Sequence, residues 1–204
     1  MYRKYIKRLL DFILSLLGII LLSPLFLFLA IIIKIDSKGP LLFRQKRVGI
    51  HKSYFHILKF RTMKLETPKN MPTHLLENPE QYITRIGEFL RKTSLDELPQ
   101  LLNILKGDMS IIGPRPALYN QYDLIEERDK YGANDVMPGL SGWAQVNGRD
   151  ELPINVKAQL DGIYVKKQSF LFDTYCIILT IGSVIKRKGI VEGNQTSAKP
   201  RGEK

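Results

Sequence analysis

Several features that would assign the chemistry quickly are scarce in this sequence. Cys176 is the only cysteine in 204 residues, which excludes an internal disulfide and fits a reducing compartment. His51, His56 and His74 have neither metal-ligand spacing nor a cysteine partner, so they read as structural or exposed. No Walker loop is present and no dinucleotide glycine fingerprint follows a strand, so those nucleotide folds are unsupported. There is no internal repeat. Acids are nearly missing from residues 1–64, where Asp11 and Asp36 face 13 Lys/Arg; residues 65–204 hold 18 of each sign. The net charge of +11 therefore sits in the first third of the chain. The length suits one domain with a sizeable core.

Beside that charge lies Phe12 to Ile33, 22 residues with no charge. At 1.5 Å per residue it is long enough for a hydrocarbon core of about 30 Å. A cleaved signal peptide is a poor fit, because the run is too long and no small-residue cleavage site follows. A transmembrane helix and a bent, re-entrant helix remain. Ser23-Pro24 sits mid-run, where proline removes a hydrogen bond and kinks a helix, and the Ser23 hydroxyl can serve the freed backbone. Arg3, Lys4, Lys7 and Arg8 flank one end; Lys34, Lys38, Arg44, Lys46 and Arg47 flank the other. Both ends therefore read as cytoplasmic. Asp11 needs a partner at the membrane edge, and Lys7 or Arg8 lies within one helical turn.

The chain's chemistry centres on Thr93-Ser94-Leu95-Asp96-Glu97-Leu98-Pro99-Gln100. Leu95, Leu98, Leu101, Leu102 and Leu105 recur at helical spacing and predict one buried face, with Asp96, Gln100 and Asn103 opposite. Ser94-x-x-Glu97 matches a capping box, and first-turn acids suit the helix dipole; spacing alone favours that bland reading. The next residues of the chain shift the balance. Lys106 to Pro116 predicts a helix stop, a short strand and a rigid turn in which Arg115 is held between two prolines. An acid pair with a pre-positioned arginine suits a phosphate site.

The stretch DELPQLLNILKGDMSIIGPRP resembles the signature of the bacterial sugar transferases, the monotopic phosphoglycosyl transferases, and the likeness covers nearly the whole chain. It implies an α/β fold of α+β type: a compact mixed domain with an N-terminal re-entrant membrane helix and amphipathic interfacial helices. The divisions expected are 1–36 for the membrane helix, 37–190 for the catalytic domain and 191–204 for a disordered tail. The implied reaction moves a sugar 1-phosphate from a UDP-sugar to undecaprenyl phosphate at the cytoplasmic face of the bacterial inner membrane. Asp96 is expected as nucleophile, since a carboxylate is already ionised at neutral pH. Glu97 is a metal partner or a base. Mg²⁺ held by Asp96 and Glu97 is expected, because an anion attacking a diphosphate needs its charge neutralised.

The rest of the chain adds to this. Leu41 to Met63 reads as strands, with Lys59 and Arg61 on one face and Leu58 and Phe60 on the other. Lys59-Phe60-Arg61-Thr62-Met63 matches a family motif, implying basic contacts near the substrate phosphates. Leu65 to Tyr82 is a loop, and Ile83 to Lys92 a short amphipathic helix ending at Arg91, whose family counterpart meets the acceptor phosphate. Tyr119 to Tyr131 carries the charge run Glu126–Lys130, most simply a solvated helix face. PGLSGWAQVNGR, ending at Arg149, resembles the family's second signature and implies that Arg149 holds the nucleotide; its glycines allow close backbone approach to a ligand. Trp143 reads as core. Glu151 to Lys167 predicts a helix carrying Asp161, where the family also has an acid. Phe170 to Ile185 predicts a core or interfacial helix stopped by Lys186-Arg187-Lys188, since its charge-free part is too short to span.

Two other readings compete. Charge alone would allow a basic membrane or nucleic-acid binder, but nucleic acid is not expected, since that reading leaves the acid pair and the glycine loops unexplained. A glycosyltransferase releasing UDP instead of UMP would share most of the same features. An anionic bilayer is an expected partner of the basic third.

Overall fold

The computed structural model describes residues 1–67, 79–148 and 152–185. His74, Arg149, the Lys186–Lys188 stop, the 191–204 tail and most of the loop expected from Leu65 to Tyr82 lie outside the described residues. A π-helical turn, Tyr2–Ile6, runs straight into α1, Lys7–Asp36. Helical backbone continues through Ser23-Pro24, with Pro24 inside α1. Proline at 24 leaves the Ile20 carbonyl without its amide donor, and Ser23 Oγ donates to that carbonyl at 2.8 Å. The hydroxyl makes good the bond the proline removes.

The segment Tyr2–Asp36 is the one helix among the described residues long and apolar enough to cross a bilayer. Its two ends and its middle nevertheless rest on the same domain. Arg8 donates to the carbonyls of Ile104 and Leu105. Gly18 lies against Leu101, whose Cδ1 comes within 3.3 Å of where a Cβ would sit. Leu29 and Ile33 join Phe60 and Leu90 in a buried cluster, and Asp36 accepts the Ile86 amide. The opposite face of α1, including Leu14, Leu17, Leu21, Phe28 and Ile31, is exposed.

Strands β1 (Leu42–Val48) and β2 (Tyr54–Phe60) form an antiparallel hairpin registered from Leu42 opposite Phe60 to Val48 opposite Tyr54. Alternation turns Phe55 and Ile57 into the core, with Lys59 on the same side, and leaves Arg44, Lys46, Tyr54 and His56 exposed. Helix α2 (Arg85–Lys92) is capped by Thr84, whose hydroxyl accepts the Gly87 amide. A Cβ at Gly87 would stand 2.0 Å from the Thr62 carbonyl oxygen, so only glycine lets α2 lie this close to the chain leaving β2.

A 3₁₀ turn, Leu95–Glu97, leads into α3, Gln100–Lys106, which stops at Gly107 with φ 101°. The expected orientation of this helix is reversed. Gln100 and Asn103 are sealed at 1% and 2% exposure, while Leu102 is 39% exposed and Leu95, Leu98, Leu101 and Leu105 are only partly buried. The leucine stripe turns toward the apolar helix α1, against which Leu101 packs. The polar face turns toward β2, where Asn103 accepts the Leu58 amide and donates to the His56 carbonyl. A membrane helix changes which side counts as inside.

Strand β3 (Ser110–Ile112) pairs in parallel with β4 (Gly139–Ser141), with α4 (Tyr122–Asp129) between them in the chain. Gly113, Gly139 and Gly142 meet at this crossing: a Cβ on Gly139 would be 2.1 Å from Gly113 N, and one on Gly142 2.0 Å from Gly113 O. These glycines, drawn from both signatures, thus let backbone meet backbone beside the turn that carries Arg115. Helices α5 (Trp143–Val146), α6 (Ile154–Lys167) and α7 (Phe170–Ile185) complete the domain. Trp143 packs with Phe172 and Tyr175, a structural role. The charge run is not uniformly solvated, because Arg128 is 3% exposed.

Candidate active site

The acid pair is presented by a strained entry, not by a cap. Ser94 has φ 57°, the left-handed region that costs a serine energy, and its side chain makes no capping bond. The capping-box reading is therefore overturned. With Ser94 turned this way, Glu97 faces the end of β2 and the turn after β3. Its Oε1 takes Lys59 Nζ at 2.7 Å and Arg115 Nη2 at 2.9 Å. Asp96 Oδ2 stands 3.6 Å from Lys59 Nζ. Three separated parts of the chain, residues 59, 96–97 and 115, thus converge.

The two carboxylates differ in their titration. Burial raises the Asp96 pKa above the ordinary range; the Glu97 charge adds to this, and Lys59, Arg91 and Arg115 only partly oppose it. Burial would raise Glu97 as well, but the charges and hydrogen bonds of Arg115 and Lys59 win and hold it well below the usual carboxylate range. Glu97 is a fixed anion. Asp96 is the buried, less compensated one, with a side chain 11% exposed.

Of the other residues singled out from sequence, Arg91 acts electrostatically on Asp96. Arg61 is not brought to the pair. The strand ends at Phe60, and past it the Arg61 guanidinium donates to the Ser37 and Lys38 carbonyls and the Ser37 hydroxyl, tying the end of α1 to β2. Asp161 is paired with Arg128 through Nε at 2.8 Å and Nη2 at 2.6 Å, joining α6 to α4. Asp11 finds neither Lys7 nor Arg8: its Oδ1 accepts the Ile111 amide of β3 at 3.0 Å. Lys7 instead pairs with Asp173 at 2.7 Å, and Asp173 also takes the hydroxyls of Tyr2 and Tyr164. Asp173, Tyr164 and Arg128 escaped the sequence reading, although a lone acid in the apolar run of α7 was a signal that Asp173 must be buried with a partner.

No group of three or more His, Cys, Asp or Glu that could hold a metal occurs among the described residues. That excludes a cage of protein ligands there, but two adjacent carboxylates fit Mg²⁺, which binds through one or two carboxylates plus substrate phosphates.

A buried carboxylate beside basic side chains, on a domain bound to an apolar helix, suits one class of protein: an enzyme working at a membrane. Comparison with known proteins makes the class specific. The profile of the family described as bacterial sugar transferase matches residues 2–187, and the chain belongs to that family. It is 38% identical over 193 residues to the uncharacterized sugar transferase EpsL of Bacillus subtilis, covering 95% of this chain and 94% of that protein. It is also 38% identical to the UDP-glucose:undecaprenyl-phosphate glucose-1-phosphate transferase of Escherichia coli, covering 87% of this chain and 40% of the relative. Identity is 37% to the UDP-N-acetylgalactosamine-undecaprenyl-phosphate N-acetylgalactosaminephosphotransferase of Aeromonas hydrophila, covering 89% of this chain and 44% of the relative. The chain thus spans less than half of these two larger relatives.

Proposed function

We propose that the protein transfers a sugar 1-phosphate from a UDP-sugar to undecaprenyl phosphate and releases UMP, through a covalent intermediate on Asp96. One observation carries the choice of nucleophile: Glu97 is locked by Lys59 and Arg115, which leaves Asp96 as the acid free to react. An Asp96 oxygen attacks the sugar-bearing phosphorus; the Oδ–P bond forms and the bond to UMP breaks, its electrons leaving with UMP. The acceptor phosphate then attacks the same phosphorus and restores the carboxylate. Glu97, with its depressed pKa, is a poor base and serves as the anion that holds Lys59 and Arg115 in position. Those cations, with Arg91, offset the phosphate charge. Mg²⁺ held by Asp96 or Glu97 would neutralise the diphosphate when bound.

The course of α1 supports a choice of membrane side. Its ends share one domain and both flanks are basic, so the domain and both ends belong on the cytoplasmic face. The exposed stripe Leu171, Tyr175, Ile178 and Ile181 of α7 suits the interface of an anionic bilayer. The relatives act on different sugars by name, so the donor is found by assay. A panel of UDP-sugars with undecaprenyl phosphate should yield UMP for at least one of them. Release of UDP would identify a glycosyltransferase that leaves the phosphate behind, and the proposal would fall.

A further inference from the structure

Gln100 is 1% exposed, and its Nε2 has no hydrogen-bond partner among the described residues. Buried amide donors are rarely left so, and an orphan needs a reason. Its neighbour on the same face of α3 is fully engaged: Asn103 takes the Leu58 amide and gives to the His56 carbonyl and the Asp108 carboxylate. The backbone between the acid pair and α3 is continuous in the right-handed helical region, through Leu98 (φ −52°, ψ −38°) and Pro99 (φ −61°, ψ −14°). The turn is 3₁₀ in its bonding, with the Leu98 and Pro99 carbonyls taking the Leu101 and Leu102 amides three residues on, so Gln100 comes one turn after Glu97 and shares its face. That face turns toward β2, which supplies Lys59 to Glu97 at 2.7 Å and to Asp96 at 3.6 Å.

We propose that Gln100 is a further catalytic residue, whose Nε2 donates to a non-bridging oxygen of the phosphoryl group while that group is attached to Asp96. The inference rests on the reading of Asp96 as nucleophile. In the resting enzyme the donor waits unpaired; after Oδ–P bond formation and UMP departure the phosphoryl group brings anionic oxygens to the acid pair, where the amide meets an acceptor. The amide takes no proton and loses none, and it strengthens its bond as charge builds on the phosphoryl oxygens.

The full-length protein is tested as wild type, Gln100→Met and Gln100→Glu, with Mg²⁺ and the UDP-sugar that releases UMP in the panel, without acceptor. Replacing an orphan donor by an apolar side chain of similar length costs no stability, so Gln100→Met should melt at or above the wild-type temperature. Its single-turnover rate of UMP release at saturating donor should fall on the order of 10- to 100-fold, the worth of a hydrogen bond to a charged oxygen. Gln100→Glu removes the donor and adds a like charge on the face of the acid pair, so its rate should fall below that of Gln100→Met. A Gln100→Met rate within twofold of wild type overturns the inference. So does an unfolded or lower-melting Gln100→Met protein, since the amide would then have a structural partner. A wild-type enzyme that forms no sugar-phosphate adduct on the Asp96 peptide overturns the parent reading, a result distinct from either.

Discussion

Asp96 and Glu97 are adjacent in the chain and opposite in their effect on stability. The folded protein raises the pKa of Asp96, so its contribution turns against folding as pH rises from the ordinary aspartate value and is fully unfavourable above the raised one. It depresses that of Glu97, so its charge stabilises the fold above the unfolded glutamate value of about 4.3, and this is lost as pH falls through the folded value. Asp96→Asn should therefore raise the melting temperature at neutral pH while abolishing the UMP burst. Glu97→Gln should lower it. A capping box would make both variants less stable and leave both active, so calorimetry and the burst assay together separate the readings. The same electrostatics set a pH profile. In the donor half-reaction, which leaves the acceptor phosphate out of the titration, the acid limb should lie above the ordinary aspartate range. Glu97→Gln removes a neighbouring negative charge and frees Lys59 and Arg115 to act on Asp96, so the limb should move to lower pH; an unmoved limb would show that Asp96 does not set it.

At the scale of the element, the features legible in the sequence were those set by local pattern. Strand β3, the α6 and α7 helices and the short helix before the acid pair all matched the sequence reading. The features that failed depended on partners far away in the chain. The leucine face of α3 was read as core because helical periodicity cannot tell a protein interior from an apolar helix. Arg61 shares strand alternation with Lys59, but β2 ends at Phe60 and the alternation ends with it. Arg128 sat in a run of charges, and only its pairing with Asp161 across 33 residues shows it to be buried. Asp11 and Lys7 have partners 100 and 166 residues away. These last contacts make α1 part of the fold. Lys7→Met should leave Asp173 buried without its cation and cost about 3–5 kcal/mol. Thermal inactivation in detergent measures this, with Lys4→Met, whose residue is exposed, as the control expected to stay near wild type.

For the whole molecule, the question is how a 30-residue apolar helix, about 45 Å long if straight, belongs to one domain. A helix crossing a bilayer separates its ends by the thickness of the hydrocarbon core, about 30 Å, and a domain on one side can hold only one of them. Here the first two turns reach α3, β3 and α7, while the last turns reach β2 and α2. The contacts at both ends, and that of Gly18 with Leu101 between them, support the proposed placement of α1 on one face. Single cysteines placed at Lys4 and at Lys38, in a Cys176→Ser background, should both resist a membrane-impermeant maleimide applied to intact cells and both react after lysis. Labelling of Lys4→Cys from outside would mean that α1 spans and that its N-terminal contacts do not form in the membrane. Pro24→Leu tests the cause: if the docked ends set the topology, both positions stay protected in that variant. If proline alone holds the helix on one face, the Lys4 position becomes reactive from outside.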